Sequence, residues 1–275
     1  IISMYYYYKK ELMMISEINF IMRFLNIFLN IGFLAAFMII VTIKKLRCYH
    51  AFFIGLLTFI ISQIVLRVPL NSWLGANLEQ NSKWGYLLFM VLTAMMLEEG
   101  GRYVGMKFGL KDNKRLIDGF AFGVGFAMGY NILFSTISHI NNFLTAIEIN
   151  KLGAKAVIDQ ASGDAMTLGV IDGLLNMTWY KLLIIGIHDI AWLIIEIALS
   201  IIILHAVRLK LKESLLFFGL AAGLHIFMEG AVIFLNEVVR IGNYKTEIYI
   251  LCLALVALIF IILSSRSKWN LLKQT

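Results

Sequence analysis

Seven apolar blocks dominate this sequence, at residues 18–43, 51–70, 84–110, 116–137, 179–207, 215–238 and 248–263. Each is long enough to cross a hydrocarbon core of about 30 Å. Lipid offers the backbone no hydrogen-bond partners, so blocks of this length span as helices. The chain is 60% hydrophobic and 15% charged with a single proline, Pro69, whereas soluble domains carry about 25% charged residues. The expected fold is all-α: one polytopic membrane domain over residues 1–275 with seven transmembrane helices. The multi-pass layout places the protein in a cell membrane, the bacterial plasma membrane being the expected one.

The cations set the expected orientation. Lys44, Lys45 and Arg47, then Lys107, Lys111, Lys114 and Arg115, then Arg208, Lys210 and Lys212, then Arg266, Lys268 and Lys273 cluster at alternate connections. Dense Lys and Arg beside span ends mark the cytoplasmic side. The N-terminus is then outside and the C-terminus cytoplasmic. The formal charge of +7 is used up in this way, and no basic face is left for nucleic acid. The longest connection, 138–178, lies outside, with 146–158 a candidate short interfacial helix. Tyr5–Tyr8 reads as an interfacial anchor beside Lys9 and Lys10. Cys48 and Cys252 are too far apart in sequence for a CxxC motif. No cleavable signal peptide is read at the start, and Met4 is a candidate initiator.

The third block contains Glu98, Glu99 and Arg102. Each such group costs about 2.5–3.5 kcal/mol at the centre of a membrane helix, so the three must pair, face water, or do chemistry. Later spans carry more polar groups: Asn131, then Asp189, Glu196 and Ser200, then His225 and Glu229. Glu99, Phe126, Glu196 and His225 each lie about 11–13 residues from the basic end of their span, roughly 17–19 Å at the helical rise. They therefore share one plane. Spacing adds that Glu98 and Arg102 can pair at i, i+4, which turns Glu99 about 100° away, and that His225 and Glu229 share a face. Gly119, Gly123, Gly125 and Gly129 allow close helix approach beside them. His188 with Asp189 reads as an interfacial pair, and His50, His139 and His205 as solvated.

Three uses of this plane stay open on the residues alone. A glutamate could activate water, with His225 assisting. Glu99, Glu196, His225 and Glu229 could hold a divalent metal such as zinc. The groups could instead form a structural or transport network.

Glu98-Glu99-Gly100-Gly101-Arg102-Tyr103 resembles the active-site helix of the YhfC family of intramembrane peptidases, which are similar to the CAAX-protease and bacteriocin-processing membrane proteases. Phe122-Gly123-Val124-Gly125, Ile197-Ala198-Leu199-Ser200 and the His225 region follow in the family's order. The resemblance implies a membrane-embedded or membrane-proximal peptide substrate. Glu98 or Glu99 would activate water and Arg102 would hold the helix geometry. His225 with Glu229 would orient the substrate carbonyl, while Glu196, Asn131 and Ser200 support the site. It also implies histidines where Phe126 and Glu196 stand, and a glutamate where Tyr130 stands. The alternative is a relative without hydrolysis that acts as a binding, immunity-like or transport protein.

Overall fold

The computed structural model describes residues 14–110, 115–160, 164–239 and 243–266. Tyr5–Tyr8 with Lys9 and Lys10, the candidate initiator Met4, and Lys111, Lys114, Lys268 and Lys273 fall outside the described residues.

The fold is all-helical, with no strand among the described residues. In chain order the helices are α1 (Glu17–Ile43), α2 (Tyr49–Phe59), α3 (Val68–Leu70), α4 (Ala76–Asn81), α5 (Lys83–Val104), α6 (Leu116–Tyr130), α7 (Ile137–Leu152), α8 (Ala154–Gln160), α9 (Ala165–Asn176), α10 (Trp179–Arg208), α11 (Leu211–Phe234) and α12 (Asn243–Arg266). π-Wound turns at Ile60–Arg67 and Asn71–Gly75 join α2, α3 and α4 into one rod, and Asn131–Thr136 joins α6 to α7. Among the described residues, six rods are long and apolar enough to cross a bilayer: Glu17–Ile43, Tyr49–Asn81, Leu116–Leu152, Trp179–Arg208, Leu211–Phe234 and Thr246–Arg266. The chain is thus an integral multi-pass membrane protein. The remaining expected span is α5, a 22-residue helix that carries Lys83, Glu98, Glu99 and Arg102. Those charges keep it out of the set of six. Residues 138–178, read from sequence as an external connection with one short helix, hold most of α7 together with α8 and α9.

Packing divides the chain into two compact units. The first comprises residues 1–36 and 131–190, the second residues 37–130 and 191–275.

In the first unit, Ile15, Ala146, Ile149, Val157, Ile171 and Leu174 belong to one apolar cluster. A stripe of buried polar groups runs down α1: Asn19, Arg23, Asn26 and Asn30. Asn19 donates to the Met177 carbonyl at 2.8 Å, Asn26 to that of Leu182 at 2.8 Å, and Asn30 to Asp189 at 2.9 Å. Partner numbers rise together, so α1 and α10 run parallel. The Ile15 backbone exchanges two hydrogen bonds with Asn150, both 2.8 Å, and Phe20 meets Phe143 edge-on. Those pairs run oppositely, so α7 is antiparallel to α1.

In the second unit the rod carrying α2 is set by glycine. The place a Cβ would take on Gly55 is filled by the Phe122 carbonyl oxygen, and that on Gly125 by the Phe52 carbonyl oxygen. Backbone thus touches backbone between α2 and α6. On α5 and the π-wound turn Gly105–Gly109 that continues it, Gly101, Gly105 and Gly109 recur every fourth residue and face Ser62, Thr58 and Ile54. This is the small-residue stripe that lets helices pack in lipid without a hydrophobic driving force. Gly125→Ala is expected to cost about 3 kcal/mol, because a methyl group there meets a carbonyl rather than a movable side chain. Gly223→Ala, where nothing lies within 4 Å, should leave stability unchanged or raised. Thermal unfolding of the two variants in detergent makes the comparison.

Candidate functional site

The site lies in the second unit and grows from α5. Ser82 starts that helix, its hydroxyl accepting the Gly85 amide at 3.1 Å, which satisfies one of the open N-terminal donors. Four turns later Glu98 and Glu99 stand one turn before Arg102. Residues three and four apart share a helix face, so both carboxylates can reach one guanidinium.

Arg102 is fully buried and is the hub. It pairs with Glu99 on its own helix, with Glu196 of α10, and with Glu98 at 3.4 Å. Its guanidinium carbon lies 4.1 Å from the centre of the Phe126 ring of α6, where the ring's electron-rich face attracts a cation. The i, i+4 pair expected from sequence is present, but Glu99 is the tighter partner rather than turned away.

Two of the contacts on Arg102 come from the positions where the family resemblance implies histidine. Phe126 covers the guanidinium and Glu196 grips it. Residues that would have offered imidazole nitrogen instead hold an arginine.

A second guanidinium comes from a residue the sequence reading passed over. Arg67 closes the π-wound stretch Ile60–Arg67. It donates to Gln63 at 3.1 Å, Glu98 at 3.3 Å and Glu229 at 3.2 Å, and more weakly to the Met90 carbonyl at 3.4 Å. A lone arginine and a glutamine inside the apolar block 51–70 carry the same insertion cost that singled out Glu98 and Glu99, and that was the available signal.

His225 of α11 completes the arrangement. Its Nδ1 faces Glu99 Oε1 at 2.8 Å and its Nε2 faces Glu229 Oε2 at 3.1 Å. Two hydrogen bonds to carboxylate oxygens need two protons. An imidazolium supplies both, whereas a neutral imidazole supplies one and needs a protonated glutamate for the other. The row Glu99–His225–Glu229 is therefore a built store for a proton. It runs from a buried end to an open one: the Glu99 side chain has no exposure, and that of Glu229 has 24%.

Structure thus brings Glu98, Glu99, Arg102, Glu196, His225 and Glu229 together, and adds Arg67. The other two sequence candidates lie elsewhere. Asn131 belongs to the first unit, where it donates to Asn30 at 3.3 Å. Ser200 sits against Gly123, its buried hydroxyl without a hydrogen-bond partner among the described residues. In the first unit Asp189 collects Asn30, Ser135 at 2.5 Å and His139 at 2.9 Å. Expected to be solvated, His139 is instead an Asp189 partner, and His205 is buried beside Phe217.

The donor set does not fit a metal ion. Both oxygens of Glu98 and both of Glu229 meet a guanidinium or the imidazole, and both nitrogens of His225 meet carboxylates. Glu99 Oε2 is a buried oxygen with no partner among the described residues. Glu196 commits Oε2 to Arg102, so its second oxygen is the one other candidate, and two are too few where a protein zinc site needs three or four donors. No group of three or more His, Cys, Asp or Glu placed to hold a metal occurs among the described residues.

Comparison with known proteins agrees with the membrane layout. A membrane protein YhfC of Bacillus subtilis (strain 168), itself described as uncharacterized, is 28% identical over 172 residues. The match covers 60% of this chain and 66% of the relative, so the chain spans slightly less than two thirds of that protein. No solved structure matches. A family profile described as YhfC intramembrane metalloprotease matches residues 28–250, well over half of the sequence, and the chain belongs to that family.

Proposed function

We propose that this chain is an intramembrane peptide hydrolase in which a carboxylate, rather than a metal ion, activates water. The observation that carries this reading is the Glu99–His225–Glu229 row, with a buried carboxylate at one end and the most exposed carboxylate of the cluster at the other.

Buried Glu99 fixes the ring of His225, as an acidic partner orients imidazole in other hydrolytic sites. Glu229 is the base: it takes a proton from water as the water oxygen attacks the amide carbon. Arg67, 3.2 Å from Glu229 and 15% exposed, holds that carboxylate in place, and its positive charge favours the oxygen that becomes anionic. The proton then passes through the Glu229–His225 pair to the departing amine. The C–N bond breaks, leaving a carboxylate and an amine. Arg102 is a positioning residue that holds Glu98, Glu99 and Glu196 in one plane.

The substrate reaches this plane only if α5 crosses the membrane. Parallel α1 and α10, with antiparallel α7, support that crossing. Without α5 as a span, the direction of the chain would be reversed at α7. Seven crossings then put the basic ends of the spans on the cytoplasmic side, with the N-terminus outside.

The test uses purified protein in proteoliposomes with transmembrane peptide libraries in water enriched in oxygen-18. Cleavage with one labelled oxygen in the new carboxyl group, unaffected by chelators, is the expected result. If chelators abolish cleavage and zinc restores it, the carboxylate mechanism is wrong. If no peptide is cut under any condition, hydrolysis itself is wrong. A second reading, a non-hydrolytic membrane binding or transport protein, is favoured by one observation: Arg67 and Arg102 together contact all four carboxylates of the cluster.

A further inference from the structure

Three helix ends and Ile201 of α10 border a half-open cavity of about 460 Å³ in the second unit, unconnected with the proposed hydrolysis. It has a basic mouth and apolar walls. Lys45, Arg115 and Ser265 are its polar lining residues, and Phe120, Ile201 and Ile261 are among its apolar ones. No carboxylate is among the described residues lining it. The C-terminal ends of α1 and α12 and the N-terminal end of α6 all meet there, which is the level at which lipid headgroups lie.

The mouth is preorganised. The Arg115 guanidinium is held by Asp118 through Nε and Nη2, both at 2.8 Å, and Nη2 also reaches the Leu46 and Arg47 carbonyls at 3.4 and 3.3 Å. Nη1 makes none of these bonds. Arg115 thus ties the Lys45–Arg47 turn to α6. That turn is conformationally costly: Lys45 and Arg47 have φ of 49° and 53°, a left-handed backbone that favours glycine. Glycine is the usual residue just past a helix C-terminus, so basic side chains stand here against the backbone's preference. Local strain of this kind points toward function. Lys45 is exposed at the cavity mouth.

We infer that this cavity binds an anionic glycerophospholipid, the phosphate between Lys45 and Arg115 and an acyl chain along Phe120, Ile201 and Ile261. Charge selects the class. Lys45 is exposed there, and the carboxylate that holds Arg115, Asp118, is buried outside the lining, so the ammonium of a zwitterionic headgroup would find no acidic side chain among the described lining residues to receive it. Free inorganic phosphate would leave the apolar walls unfilled.

Delipidated full-length protein in neutral detergent is titrated with phosphatidylglycerol, phosphatidylcholine or inorganic phosphate, and thermal unfolding is followed. Phosphatidylglycerol should raise the midpoint in a saturable way, and the other two should not. Lys45→Gly separates strain from binding. Relief of the left-handed backbone should raise the lipid-free midpoint by about 2–4 °C, while affinity for phosphatidylglycerol falls about fivefold, the effect of one surface cation. Ile261→Trp keeps every charge but fills the cavity, and should abolish the response. Equal protection by phosphatidylcholine or by phosphate overturns the proposal. So does parental affinity in Lys45→Gly, whatever becomes of the tryptophan variant.

Discussion

Arg102→Met is expected to destabilise the second unit by about 3–5 kcal/mol, the range found when one partner of a buried ion cluster is removed. That is a large share of the roughly 5–15 kcal/mol that holds a typical domain together. The reason is geometric. Arg102 has no exposure and is the cation shared by Glu98, Glu99 and Glu196. With methionine there, Glu99 keeps only His225, and Glu196 loses the one ion-pair partner described for it. Arg102→Lys should recover only part of the loss, because one ammonium cannot present the planar fork that meets three carboxylates. The triple change Arg102→Met, Glu99→Gln, Glu196→Gln should recover more, since neutralising a whole cluster costs less than orphaning part of it. Urea or thermal unfolding in micelles ranks the variants. A single methionine variant as stable as the parent would show that the ion cluster is not formed.

Glu229→Gln should do the reverse: retain the fold and lose the chemistry. Glu229 is the most open carboxylate of the cluster, and an amide can still accept from Arg67. The stability change should stay within about 1 kcal/mol, as for a partly exposed pair. Hydrolysis should fall by about 10²–10⁴-fold, the usual contribution of a general base, with the loss in kcat rather than KM. His225→Asn should resemble it in rate. Rates are read from product peptides in proteoliposomes. A Glu229→Gln protein that cuts at the parental rate would move the base to Glu98, whose carboxylate also touches Arg67.

How much of this was legible beforehand follows from the cost of charge in lipid. Glu98, Glu99, Arg102, Glu196, His225 and Glu229 each break an apolar run, and counting residues from the basic span ends places Glu99, Glu196 and His225 at one depth, with the others about one turn or less away along their helices. Arg67 broke a run in the same way, but it sits beside Pro69 at the end of a π-wound stretch, where counting at 3.6 residues per turn fails. Asn131 heads another such stretch, Asn131–Thr136, and its side chain goes to Asn30. The stripe Asn19, Arg23, Asn26 and Asn30 has regular 4-3-4 spacing, yet three of its members are uncharged and raise no alarm in a hydropathy reading. Asp189 and Glu196, on one stripe by spacing, belong to different units. Compactness in three dimensions is not written in a single helix.

The glycine contacts between α2 and α6 have a consequence for life in a bilayer of variable thickness. Membranes thicken and thin with acyl-chain length, sterol content and temperature, and helices answer by tilting or sliding. Side-chain interfaces can slip, because rotamers readjust. Carbonyl oxygens seated on Gly55 and Gly125 have no such slack. The two rods must tilt together, as one plank. The Phe126 ring is one residue from that seam, and Arg67 lies on the same rod as Gly55. A change in lipid composition should therefore alter how the protein leans without altering the relative depth of these two groups.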